Sequence, residues 1–382
     1  MKQSMGYPDS KRHALAILLI SISGLLVYSN SLDCSFHFDD IRAIVENYAI
    51  HRVDLREIFA TSSRPILDVT LAINYALGGL NVFGYHLVNL ALHIANGIMI
   101  YFILSWTANL PSVRDIYQGQ AYRIALYASL LFMVHPIQTQ AVTYIISRSE
   151  VLASSFYLLT LLLIIKAFQV KKKGPYLTGA LISSCLGMGT KQIVATLPLA
   201  LVIYDFYFLS DGDWKILKSH YKIHLAMFST LVIVLFLNIL NLEKFISFDY
   251  TKGVPVPLDE PVTSFQYFLT QLHVIPYYIR LLFLPVGLNL DYDWPIVRSV
   301  DGLTVLFFLF LVALIIIGIA MFRRSRLFSF SIIWFFVTLS VTSSFIVIYD
   351  PIFEHRLYLP SVGFVTIIAL LISRISGPKI KA

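Results

Sequence analysis

Between Gly302 and Phe322 the chain carries no charged side chain, and nine other stretches share that property: 14–32, 87–113, 124–147, 151–165, 174–190, 192–204, 225–242, 327–349 and 357–373. Backbone amides cannot be left bare in hydrocarbon. A helix of ~20 apolar residues crosses a bilayer with its backbone bonds made internally. Repeated runs of this kind restrict the chain to an all-α polytopic membrane bundle. Only 13% of the 382 residues are charged, about half the ~25% of a soluble domain. That deficit excludes an ordinary cytosolic enzyme, a disordered protein and a disulfide-stapled secreted domain. The two cysteines, Cys34 and Cys185, are read as free thiols. The net charge of +7 comes from clusters that flank apolar runs. It is read as membrane topology, with no nucleic-acid partner.

The first run is read as an uncleaved helix. Lys2, Lys11 and Arg12 precede it, and further clusters follow at 166–173, 215–222, 323–326 and 374–381. By the positive-inside rule these mark the inner side, with both termini there. The segments 264–284 and 66–78 are helical in pattern. The first contains Pro276, His273 and Arg280, and the second is too short to span and carries Asp68 and Asn74. They are expected to be interfacial or re-entrant. The expected architecture is therefore about 9–11 transmembrane helices plus interfacial helices in the first outer loop. It forms one transmembrane domain over 1–382, with no soluble domain. The outer side receives 30–64, 135–150, 243–261 with 284–301, and 350–360. These loops mix acids, histidines, aromatics and prolines, and function tends to sit on such loops.

Asp39 and Asp40 follow the first helix, with Arg42 just beyond. Adjacent carboxylates at a membrane surface repel each other and lose solvation, which raises a pKa and makes a general base. The structural alternative is an N-cap opening a surface helix over 41–47. Arg64 precedes Pro65, and Arg148, Lys191, His355, Arg356 and Tyr358 stand at later helix junctions. On the expected topology the cations share one side and depth with the acids, where they would hold a phosphate. His86, Asn89, His93 and Asn96 recur at helical spacing and form one polar face inside the membrane. No carboxylate joins that stripe, so interhelical hydrogen bonding is the expected use rather than a metal site.

Phe38-Asp39-Asp40, Arg64-Pro65, Asn74-Tyr75, His86-Leu-Val-Asn89, His93, His135-Pro136, Arg148-Ser-Glu150 and Glu354-His355-Arg356-Leu-Tyr358-Leu-Pro360 occur in that order. The set resembles the membrane part of the transmembrane O-mannosyltransferases that act on cadherins, and their bacterial relatives, of the GT-C glycosyltransferase fold. It covers about Ser29 to Pro360. The resemblance implies an inverting transferase that takes mannose or a similar hexose from a polyprenyl-phosphate donor. It assigns Asp39 as base with Asp40 beside it, and makes Arg42 and Arg64 similar to the basic residues of the wider fold. The family's Lys-Glu pair appears here as Lys191-Gln192, so its acid is missing. The family's tetratricopeptide repeats do not follow the last apolar run. A bacterial inner-membrane member using undecaprenyl is therefore expected, with its site on the periplasmic or luminal side. The acceptor would be a protein or glycolipid hydroxyl. No cofactor is required, although a divalent metal could bridge Asp39 or Asp40 to the phosphate. The competing expectation is a lipid or small-solute transporter or flippase, against which stands the absence of internal repeats.

Overall fold

The computed structural model describes residues 10–117, 119–240, 262–348 and 350–375; the side chains of 238–240 are not described. The expected outer loop 243–261 and the cations Lys2, Lys379 and Lys381 lie outside these residues. The helices used below are α1 (Ser10–Tyr28), α2 (Pro65–Gly78), α3 (Val82–Ala108), α4 (Ala121–Val134), α5 (Arg148–Gln169), α6 (Gly174–Met188), α7 (Leu197–Tyr204), α8 (Tyr221–Ser229), α9 (Leu231–Leu240), α10 (Ser264–Phe283), α11 (Gly302–Ala320), α12 (Arg326–Leu339) and α13 (Ser361–Ile375). No strand occurs among the described residues. The chain is an all-α polytopic membrane bundle. Five helical segments are long and apolar enough to cross a membrane: Ser10–Ser31, Val82–Ala108, Ile145–Gln169, Gln192–Leu209 and Gly302–Arg323. α2, α4, α12 and α13 are shorter apolar helices.

Burial shows which faces meet lipid. α1 buries Ala16, Ile20, Gly24 and Tyr28, a single face at four-residue spacing. Leu15, Leu18, Leu25 and Leu26 on its other side are exposed. α11 buries only Thr304, Leu311 and Gly318, one residue in seven, and exposes Leu306, Leu309, Ile316 and Ile319. Apolar exposure on this scale is untenable in water and natural against acyl chains. Close approach inside the bundle uses small residues. A side chain at Gly363 of α13 would run into the Ser331 carbonyl of α12, and one at Gly97 of α3 into Met133 of α4.

α3, α4, α5 and α13 form the centre. Here the polar stripe of α3 meets its partners, and all four of its residues are buried. His86 Nε2 lies 2.9 Å from the Cys34 carbonyl. Asn89 donates to the carbonyl oxygens of Val142 and Ile145. Asn96 donates to Val151 O and to the Tyr358 hydroxyl, each at 3.0 Å, and that hydroxyl lies 2.8 Å from His93 Nδ1. At one end of the bundle lie Lys171, Lys172, Lys173, Lys215, Lys218, Lys222, Arg323 and Arg324. Asp205 also sits at this basic end, accepting from His220 and His224 at 2.8 Å each.

The opposite end, called here the site end, is irregular. The apolar run 124–147 does not make one helix. α4 stops at Val134, because the residue before a proline disfavours the helical region. His135-Pro136 opens three short turns, Pro136–Gln138, Thr139–Thr143 and Ile145–Ser147. The run 327–349 is likewise broken: α12 ends at Leu339, and α13 begins only after the turn Glu354–Leu357. α10 lies across this end. Tyr267 donates to Thr342 O, Gln271 to Pro351 O and Tyr278 to Phe353 O, while His135 Nε2 meets Leu282 O. Four bonds spread along one helix, all to residues at one end of the bundle, fit an interfacial placement. The first loop folds over α2 as a small core of its own, with Ile44, Ile50 and Ile58 packed on Leu67, Leu71 and Tyr85.

Candidate active site

The site end gathers side chains from five segments, beginning with the acidic pair. Phe38 takes a φ of +45°, a left-handed conformation that costs a non-glycine residue ~1–2 kcal/mol. The turn sends the two carboxylates in different directions. Asp40 goes inward: one oxygen accepts the Ile146 N–H at 2.8 Å and the other the His37 N–H at 3.2 Å. Burial pushes its carboxyl up to about 6, against the pull of these two donors and of His37. Asp40 is thus a staple between the loop after α1 and the turn before α5. It is not a helix cap, since the turn Ile41–Val45 receives no side-chain bond from it. Asp39 stays exposed, and its backbone N–H donates to the Tyr144 hydroxyl at 2.9 Å.

The cations come next. Arg64 stands ahead of Pro65, which occupies the first turn of α2. Burial lowers its guanidinium, while Glu150, Asp68 and Asp39 oppose that shift, which places the three carboxylates around it. Lys191 lies in extended backbone between α6 and the turn Gln192–Thr196. Its Nζ is 2.7 Å from Glu150 Oε2, and both side chains are nearly buried. Burial brings the ammonium down to about 8; Arg64 and Arg356 push the same way and Glu150 resists. The acid absent from position 192 is therefore supplied by the first turn of α5. Arg356 donates to the carbonyl oxygens of Pro351 at 2.9 Å and Asp350 at 2.6 Å, so it closes its own loop while its charge remains in the site. Beside it, His355 is held well below its usual range by burial and by the charges of Lys191, Arg356 and Arg64. These influences disfavour a charge on the ring and weigh against its expected use as a phosphate-holding cation.

Two expected phosphate ligands point elsewhere. Arg148 is fully buried. Its Nε donates to Asn89 Oδ1 at 2.7 Å, its Nη1 to Asn74 Oδ1 at 2.6 Å and to Thr70 O, and its Nη2 to Tyr85 O at 2.9 Å. That fork ties α2, α3 and α5 together and commits four of the five guanidinium N–H groups to protein oxygens. Tyr358 is bonded to His93 and Asn96 within the bundle. Arg42 is exposed on the turn Ile41–Val45. Glu150, Tyr144 and Gln140 were not among the expected site residues. All three fall in the polar segment 135–150, whose mixture of residue types was the available signal.

Both Asp40 oxygens face backbone donors, and no group of three or more histidine, cysteine or acidic side chains able to hold a metal ion occurs among the described residues.

The chain aligns over 94% of its length, at 27% identity, with a protein O-mannosyl-transferase of Caenorhabditis elegans. Two human proteins also match, protein O-mannosyl-transferase TMTC2 at 31% identity over 58% of the chain and TMTC3 at 26% over 90%. The curated relatives are protein O-mannosyl-transferases. The chain spans about half the length of the first of these relatives, 28% of TMTC2 and 40% of TMTC3. No family model and no solved structure matches it. The resemblance to membrane O-mannosyltransferases thus extends over nearly the whole chain.

Proposed function

We propose that the chain is an inverting glycosyltransferase that moves mannose or a similar hexose from a polyprenyl-phosphate donor to an acceptor hydroxyl. The observation that carries this reading is the meeting of an exposed carboxylate, Asp39, with Arg64, Lys191 and Arg356 at one end of a lipid-facing bundle. Asp39 takes the proton of the acceptor hydroxyl as that oxygen bonds to the anomeric carbon. The bond from the anomeric carbon to the phosphate oxygen breaks in the same displacement, and polyprenyl phosphate leaves with the electron pair. Arg64 and Lys191 hold its charge. A phosphate leaves without protonation, so no second acid is needed, and no step runs through a metal. The relatives' names favour a protein hydroxyl as acceptor. The site end then faces the outer or luminal side and the basic end the cytoplasm.

The test is sugar release from polyprenyl-phosphate mannose by the purified protein with serine- and threonine-containing peptides, run beside transport in sealed vesicles. Transport without release would establish the transporter reading instead. Arg64→Ala is expected to weaken donor binding ~10–100-fold, as loss of one charge-assisted contact does. Lys172→Ala, an exposed change at the basic end, should leave it unchanged. Donor affinity is also expected to fall as pH rises through about 8, where Lys191 loses its proton. An ordinary lysine would keep its charge to ~10. Affinity that stays constant through that range would remove Lys191 from the donor site.

A further inference from the structure

His355 holds a position that the transfer step leaves unused. Its backbone N–H donates to Gln140 Oε1 at 2.7 Å, and its Nδ1 lies 3.1 Å from the same oxygen. The other end of that amide, Nε2, is 2.7 Å from the Leu290 carbonyl oxygen. A carbonyl can only accept, so the Gln140 NH2 group faces Leu290 and its oxygen faces His355. The proton on the imidazole is therefore on Nδ1. The ring stacks on Phe353, with centroids 4.9 Å apart and planes 21° from parallel, which fixes its rotation. Nε2 is left as a lone pair that bonds no protein group among the described residues.

Resting on the glycosyltransferase reading, we propose that Gln140 is a positioning residue that sets His355 as the Nδ1–H tautomer, so that Nε2 accepts a hydrogen bond from a hydroxyl of the transferred sugar. The surroundings suit an acceptor and nothing else. Lys191 from the junction after α6, Arg64 ahead of α2 and Arg356 on the same turn all face the ring and oppose its protonation. A ring so surrounded is too weak a base to deprotonate an alcohol and carries no charge for phosphate. Arg64, Lys191 and Arg356 are donors only. A sugar presents hydroxyl protons as well as phosphate oxygens, and the lone pair on Nε2 receives one of the former. His355 thereby distinguishes a hexosyl phosphate from a bare phosphate.

Gln140→Glu provides the decisive test, because it is nearly isosteric and puts a carboxylate on the Nδ1–H. The His355 pKa rises toward its ordinary range, and below it Nε2 carries a proton and no longer accepts. With polyprenyl-phosphate mannose, the kcat/KM of Gln140→Glu is expected to acquire an acid limb, falling ~tenfold for each pH unit below the new ionisation, while wild type shows no such limb. Matching profiles for the two proteins would overturn the proposal. Monodeoxy mannose donors supply the second measurement. One deoxy position should lower wild-type kcat/KM ~3–10-fold, the worth of a neutral hydrogen bond, and have no further effect in His355→Leu. Equal losses in both proteins at every position would also refute it. Imidazole nitrogen NMR shifts of His355 read the tautomer without turnover. A proton on Nε2, or on both nitrogens, near neutral pH overturns the proposal. Absence of wild-type turnover beside a bare Nε2 would instead count against sugar transfer alone.

Discussion

Asp39→Asn is expected to lower turnover ~10²–10⁴-fold while leaving donor affinity near that of wild type, since it removes a proton acceptor and keeps the shape. The structure sharpens the contrast with the neighbouring acid. Asp39 is exposed, and its backbone N–H, which any substitution retains, holds the loop to the Tyr144 hydroxyl. Asp40 holds Ile146 and His37 with both oxygens. Asp40→Asn replaces one acceptor oxygen with a donor that faces another donor. It should therefore lower thermal stability as well as turnover, which Asp39→Asn should not. Kinetics on protein whose unfolding midpoint is measured in parallel separates the two. Full turnover in a folded Asp39→Asn protein would end its assignment as base.

The second large effect concerns stability. Arg148 is the sole donor, among the described residues, to Asn89 Oδ1 and Asn74 Oδ1. Charge-assisted bonds of this kind are worth ~1.5–3 kcal/mol each. With the relief of an interior cation subtracted, Arg148→Met is expected to cost ~3 kcal/mol. Arg148→Lys is the more informative variant. A phosphate site tolerates an ammonium as a point charge. The fork that spans α2, α3 and α5 does not, because an ammonium has three donors for the four oxygens that the guanidinium reaches. Lowered thermal stability in detergent is expected for Arg148→Lys. Unchanged stability with weakened donor binding would return Arg148 to the phosphate.

Apolar runs made the helices legible, because lipid-facing surface leaves a compositional trace that no other fold tolerates. Their ends were less so. The run 124–147 looks continuous because the turns after Pro136 are themselves apolar and buried, with Ile137, Ala141, Val142 and Ile145 facing the core. At the site, sequence order could place acids and cations at one end of the bundle. It could not say which cations were already satisfied by protein. Arg148 and Arg356 look alike as arginines beside helix starts, yet one is enclosed by amides and the other by the carbonyls of its own loop. The partner of Lys191 lay outside local reach, because Glu150 is brought to it by the packing of α5 against α6 and the turn that follows.

The bond from Asn96 to Tyr358 spans 262 positions, and the contact of His93 with the same hydroxyl spans 265. Helices enter a membrane in the order of synthesis, so α3 is inserted long before the segment carrying Tyr358 has been translated. Until then its buried polar groups must find water, lipid headgroups or a chaperone in place of their final partner, since bare polar atoms in hydrocarbon are costly. Completion of the bundle is therefore a late event that depends on long-range pairing. Biogenesis of this protein thus has the central helix in place before the partner of its polar face is made.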